Sequence, residues 1–448
     1  VGDNAGGAIT TGSDNIAIGS GALDAVTTAS NNIAIGSDAL GANTSGTDNV
    51  AVGDAAGDAV TTGSDNTFIG DNAGGATTTA SDNTAVGSSA LLVNTTGASN
   101  VAVGAYALDA NTTASDNTAV GYNSLTANTT GHSGVAVGKD ALAANTTGNY
   151  NVAVGVDALT ANTTGGENTA IGIQAMIANT TGTGNVAIGT SSLDANTTGD
   201  YNTALGASAL GANTTADNNT AVGASALTAN TTGSSNTSVG AYALDASTTG
   251  ASNTAVGRDA LSAATTADYN VCVGSLAGDA VTTGGANTLI GYQAGTHDVN
   301  LTTGGDNTLI GAYNDVSASD ASNQIVIGTN LTSKGDTTAF IEGVPYNGNN
   351  QSAWSTTSDE RIKKNISDNS TGLSKLNQIK VRNFEYRTPE EVTELPKHAA
   401  IDTQGVQVGV IAQEIETVLP DVVKEESTGA KSVNPENITW YLVNAVQE

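Results

Sequence analysis

Along the first 330 residues, polar and apolar positions alternate in short bursts. An Asn is followed by Thr, Val or Ile, then Ala, then Val or Ile, then Gly, as in Asn219-Thr220-Ala221-Val222-Gly223. Two large side chains flanking a small one at period two predict a three-residue strand ended by the glycine. The burst returns every 17 residues, its closing glycine falling at Gly2, Gly19, Gly36, Gly53 and onward to Gly291 without an insertion. Written from the Asn as position 1, the unit reads N-T-A-V-G-x-x-A-L-x-A-N-T-T-G-x-x. Phase-locking over that length predicts a solenoid in which each repeat is one stacked coil. With coils ~4.8 Å apart, about 19 of them would make a rod of roughly 90 Å.

The remaining positions say what fills the coil. Position 9 is usually Leu (Leu91, Leu108, Leu125, Leu142), but Gly57 and Gly278 stand there in coils that carry Val60 and Val281 three residues later, where the others have Asn. One apolar group supplied from either place predicts a shared interior slot. Leu23 with Val26 breaks that rule. Asn recurs at position 1 (Asn15, Asn32, Asn49, Asn66) and at position 12 (Asn94, Asn111, Asn128, Asn145), so stacking should align two amide ladders whose donors and acceptors satisfy each other. The position-12 Asn also opens a glycosylation sequon, but one in most coils reads as structural. The strand alternation places β-branched groups on one face and Ala on the other. Three chains sharing an apolar axis would then bury an Ala-rich face that a single chain leaves open.

Charge changes the list of partners. The chain carries a net charge of −30, and residues 1–330 hold 26 acidic residues against two basic ones, Lys139 and Arg258. So acidic a surface repels phosphate backbones and anionic lipid, which excludes nucleic acid and membrane as partners. No window of 18 apolar residues exists, so no transmembrane helix is expected, and no signal peptide stands at the start. Val1-Gly2 already has the Val-Gly phase of a repeat, and the natural chain is expected to continue upstream. Cys272 is the only cysteine; it replaces the Ala of the strand triplet and reads as a small buried residue. Asp14, Asp48, Asp65, Asp82 and Asp116 recur in phase without the tandem spacing of calcium rolls, so no metal and no cofactor is expected. Thr-Thr ladders also suit ice-binding solenoids, a weak reading here.

The repeat pattern N-x-A-[IV]-G-x-x-[AS] resembles the head repeats of YadA-like trimeric adhesins, which form parallel β-rolls, and similar repeats in phage tail fibres. That family's usual repeat is shorter. The resemblance implies a homotrimer.

After a three-residue insertion the repeat continues to Gly328 and fades. Residues 331–357 read as a transition, with a polar Asn/Ser-rich end, and residues 358–448 have the composition of a small α+β domain. Helices are expected at 373–379 and 412–419, the second stopped by Pro420, and strands at 381–387 and 406–411. Asn434-Pro435 makes an N-cap and first-turn pair for a last helix with Ile438, Leu442 and Ala445 on one face, a stripe expected to continue into a helical bundle.

Three stretches, SDERIKKNI at 358–366, VGVIAQEI at 408–415 with Leu419-Pro420, and ITWYLVNAV at 438–446, resemble the S74 peptidase family. This is the intramolecular chaperone at the end of endosialidases and other phage tail spikes and fibres. The resemblance implies one self-cleavage and no turnover, with Ser358 as nucleophile and Lys363 as the base. Burial can depress a Lys amine enough to deprotonate a hydroxyl without a His. Arg361, Lys364 and Asn365 match the same motif and read as solvated surface, as do His132, His297 and His398.

The expected architecture is an all-β trimeric parallel β-solenoid (β-roll) rod over 1–330 and a small α+β chaperone domain ending in a helix. The function it implies is the shaft of a phage tail fibre in the virion, joined upstream to a virion attachment protein. Its partner would be a host cell-surface receptor, with glycans among the candidates for the surface tyrosines Tyr106, Tyr122, Tyr150, Tyr201, Tyr242, Tyr269 and Tyr292. A bacterial trimeric adhesin or extracellular filament is the alternative. Near-identical coils offer no unique cleft for a glycan-cleaving enzyme.

Overall fold

Each three-residue burst is a strand. The computed structural model describes residues 1–342, 369, 372–388, 390–396, 401, 404–426 and 429–447, and the chain divides into two units, Val1–Thr283 and Gly284–Glu448. Sixteen strands, β1 (Ile16–Ile18) to β16 (Val271–Val273), lie in the first unit, and four more, β17 (Thr288–Ile290) to β20 (Ala339–Ile341), open the second. Strands β13 (Thr220–Val222) and β14 (Thr237–Val239) pair in parallel with Thr220 opposite Thr237, a register shift of one repeat. The same pairing is made by successive coils of the first unit. This is a parallel β-solenoid.

The turns explain the residues that flank each strand. Gly223 has φ +137°, and a Cβ added there would stand 2.5 Å from the Gly240 oxygen of the next coil, so neither the dihedral nor the space admits another residue. Further left-handed turns fall at Ser225, Leu227 and Ser235 (φ 54°, 53° and 62°). Asp, Asn and Ser, which tolerate that conformation, accordingly fill most of positions 7 and 17.

Both amide ladders form, and both are buried. At position 1, the side-chain oxygen of Asn202 accepts the backbone N–H of Asn219 in the next coil at 3.0 Å, while its Nδ2 donates to the Ala216 carbonyl at 2.8 Å. At position 12, Asn196 Nδ2 donates to Asn179 Oδ1 at 2.9 Å and to the Gly199 carbonyl at 3.0 Å. Buried amides fully engaged in this way cost little, and in the folded coil they are closed to glycosylation. A third row runs along position 13, where Thr214 Oγ1 donates to the Thr231 carbonyl at 3.2 Å.

The interior slot is real, and its filling is subtler than the Leu-for-Val exchange. Leu91, Leu108, Val60 and Val281 are all fully buried. Phe68 takes the strand position normally held by Ala and is the largest fully buried side chain. It occupies the space above Gly57 and Gly74, where an added Cβ would meet its ring at 2.7 and 2.5 Å. Leu289 and Gly295 repeat the exchange, with 3.2 Å between them on the same test. In the coils of Phe68 and Leu289 a large strand residue thus goes with glycine at position 9 (Gly74, Gly295), which conserves volume. Gly57 and Gly278 instead stand in coils with a small strand residue, Ala51 and Cys272, and with Val60 and Val281 buried. Leu23 and Val26 are both buried in one coil, and nothing in the structure explains that double filling.

One expectation is overturned. The Ala face of the strand is the interior of the coil itself: Ala119, Ala170 and Ala204 are fully buried, whereas Val120, Ile171 and Leu205 are 36%, 39% and 44% exposed. A coil whose position 9 is large has room inside for only a small strand side chain, so the β-branched face is the one left open.

In the second unit, β17 pairs with β18 (Thr308–Ile310) across the three-residue insertion, and β19 (Ile325–Ile327) pairs with β20 after a coil shortened to 14 residues. Beyond residue 369, α1 (Leu373–Leu376) precedes an antiparallel pair, β21 (Arg382–Phe384) with β22 (Gln407–Gly409). Then come α2 (Ala412–Glu416), a 3-10 turn (Pro420–Val422), a second antiparallel pair, β23 (Val423–Glu425) with β24 (Lys431–Val433), and α3 (Pro435–Gln447).

Candidate functional site: the domain after the coils

The residues expected to cut the chain, Ser358 and Lys363, lie outside the described residues, as do Arg361, Lys364, Asn365 and His398. What is described is the domain that follows them. Its core is Ile415, Val418, Leu419, Val422 and Tyr441, with Leu376, Ile379, Val410, Val423, Val433 and Ile438 packed around it. Helix α2 supplies the first of these; it ends at Glu416, short of the expected 419, and Pro420, which cannot donate a helical hydrogen bond, opens the 3-10 turn instead.

Polar contacts tie the elements to one another. Lys375 of α1 donates to the carbonyl of Val418, between α2 and the 3-10 turn, at 3.0 Å. The Arg382 guanidinium grips Glu414 with two bonds, at 2.8 and 3.2 Å, and holds that carboxyl below its usual range. Lys431 on β24 pairs with Glu416. The Tyr441 hydroxyl donates to Asp421, a bond that pushes the phenol pKa up. Asn444 Nδ2 donates to the Asn369 carbonyl at 2.8 Å, so α3 reaches back to the chain entering the domain.

The final helix faces differently from its expected stripe. Tyr441 and Ala445 are buried and Ile438 packs on the core, but Leu442 is 55% exposed, and Trp440, Val443 and Val446 are exposed with it. The strand side is also apolar and open at Val381, Val406 and Val408. Sequence reasoning missed the β23–β24 hairpin altogether; the only signal was a brief alternation in Lys431-Ser432-Val433.

In the shaft, all seven expected tyrosines are exposed, Tyr269 the most. Tyr106 and Tyr122 meet edge to face at 6.0 Å between neighbouring coils, and His132 meets Tyr150 at 4.9 Å. Cys272 is buried and its thiol pKa pushed up by desolvation, so it is an unreactive packing residue. Lys139 and Arg258 each pair with the adjacent Asp140 and Asp259. No helix among the described residues is long and apolar enough to cross a membrane.

Residues 358–424 match the model of the Peptidase S74 family, the chaperone of endosialidase. The match begins on Ser358 and runs through α1, β21, β22, α2 and the 3-10 turn, stopping before β24 and α3. A parallel β-solenoid carrying an S74-type intramolecular chaperone domain is therefore the class of protein that the fold and the match define. No curated protein matches the chain.

Proposed function

We propose that this chain is the shaft of a homotrimeric fibre, a phage tail fibre that contacts the host surface, and that its terminal domain sets the trimer and then cuts itself away at Ser358. The observation that carries the reading is the family match beginning on Ser358, downstream of a solenoid of near-identical coils. Such coils pair out of register at little energetic difference, so three chains left alone would stagger. A domain that associates first removes the stagger, and its release makes the result kinetically locked.

Two open surfaces support association. The shaft presents a continuous β-branched face (Ile18, Ile35, Ile69, Val120, Ile171), and the terminal domain presents the outer side of α3. Extended apolar surface of this kind marks an interaction site. In the cleavage step, Ser358 Oγ attacks the neighbouring peptide carbonyl while the neutral Lys363 amine takes its proton. The ester forms, the freed amine takes the proton back, and water then opens the ester. Binding to a receptor falls to the exposed tyrosines.

The test is intact mass and sedimentation on this chain and on Ser358→Ala. Two fragments meeting beside Ser358 in the wild type alone, with a trimeric shaft, are expected. An uncut wild type that still forms trimers removes Ser358 and Lys363 from the mechanism and favours an extracellular filament with a retained tip. A monomeric shaft overturns the fibre.

A further inference from the structure

The coil that follows the three-residue insertion puts a carboxylate at position 9, where no other coil carries one. Asp315 stands four residues past Gly311, the place that Leu holds in the coils of the first unit, and its side chain is 1% exposed. A charge in an apolar slot is costly unless it is compensated, more so than a neutral unpaired polar group. Two bonds compensate part of it: the backbone N–H groups of His297 and Asp298 donate to its two oxygens at 3.0 and 2.9 Å. Both donors belong to the stretch lengthened by the three-residue insertion, so the extra residues wrap this carboxylate.

The side chains of the same two residues then converge on it. His297 Nδ1 lies 3.6 Å from Asp298 Oδ2 and 3.9 Å from Asp315 Oδ2. One ligand atom from each of the three residues falls within 4.8 Å of the other two. The Tyr313 ring, 4.8 Å from the imidazole, holds it in place. Two carboxylates and one imidazole leave the cluster short of positive charge. In a tetrahedral site with bonds of ~2.0–2.1 Å the ligand atoms stand about 3.3 Å apart, so the imidazole nitrogen needs to close by only about half an ångström on each carboxylate oxygen, and the two carboxylates, within 4.8 Å of each other, come together around the ion.

We propose that His297, Asp298 and Asp315 bind one divalent transition-metal ion of the zinc class, with water completing a tetrahedron. The imidazole selects against calcium and magnesium, which take six or more oxygens. The ion clamps the inserted loop to the following coil and neutralises the buried Asp315.

Cobalt(II) is the probe, because a tetrahedral site gives it intense visible absorption and loose binding to surface carboxylates does not. The full chain, His297→Gln and Asp298→Asn are dialysed against Co²⁺ and titrated with Zn²⁺. Since losing even a residue that orients a ligand costs ~10–100-fold in affinity, each variant is expected to lose about 100-fold or more, together with the intense band. Zn²⁺ should displace Co²⁺ from the wild type at one equivalent per chain and raise its melting temperature alone. His297 is at the surface, so His297→Gln leaves the coil intact, which hydrogen exchange of β18 verifies. An intense band that survives in His297→Gln, a wild type without one, or displacement by Ca²⁺ overturns the site.

Discussion

At Gly223 the backbone turns at φ +137° with the next coil's carbonyl oxygen 2.5 Å from where a Cβ would sit, so Gly223→Ala strains the turn and separates two coils. Strain of this type costs about 1–3 kcal/mol. It should appear as faster hydrogen exchange in β13 and β14, and unchanged protection would refute the close approach. The Phe68 exchange makes a sharper test. Phe68→Ala empties the space beside Gly57 and Gly74 and is expected to cost ~3–5 kcal/mol. Gly74→Leu rebuilds the small-strand, large-turn pair used by other coils. The two changes together should recover much of the loss, with a coupling of ~1–3 kcal/mol in a double-mutant cycle followed by urea unfolding. Simple additivity would mean that the two positions do not share one volume.

At the level of single elements, α3 and the Arg387 to Glu394 contact offer measurements on the terminal domain. Tyr441→Phe removes the hydroxyl that α3 donates to Asp421 and should lower the domain's stability by about 1.5 kcal/mol, read by denaturant unfolding. The Arg387 guanidinium holds Glu394 down to about 2 from its ordinary 4.5. Whatever this contact adds is present above the ordinary value and fades as pH falls toward 2, and an NMR titration of Glu394 should place its midpoint there. The elements also show where sequence reasoning ran out. Period and turn residues made the strands legible, because 17 phase-locked copies repeat one signal. Which strand face is internal was not legible: alternation separates Ala from Val but leaves the choice to the width of the coil. In α3 the run Trp440-Tyr441-Leu442-Val443 is apolar on every side, so periodicity could not choose Tyr441 over Leu442. The fold of the terminal domain was thus partly readable. Ser358 and Lys363 were readable through family resemblance alone, since no spacing distinguishes them from a polar surface pair.

For the molecule as a whole, the shaft is an acidic body with an apolar face, and those properties oppose each other. Residues 1–330 carry 26 acidic and two basic residues, and copies brought together repel until salt screens them; the Debye length falls from ~30 Å at 0.01 M to ~3 Å at 1 M. Self-association of the shaft is therefore expected to strengthen as ionic strength rises, measured by sedimentation from low to high salt. Weakening would point to ion pairs, and with Lys139 and Arg258 already engaged by neighbouring aspartates the shaft has little basic surface to make them.

The parallel register has one more effect, on how the shaft comes into being. Strand partners in the first unit lie one repeat apart, as Thr220 and Thr237 do, so a growing chain never waits for a distant segment before its newest coil can dock. Folds dominated by such short separations form quickly, and linear arrays grow by addition to a neighbour. A nascent shaft can wind as it leaves the ribosome, coil after coil, and the residues that match the chaperone family, 358–424, are made after it. Winding is then a single-chain event that is complete before that stretch is made.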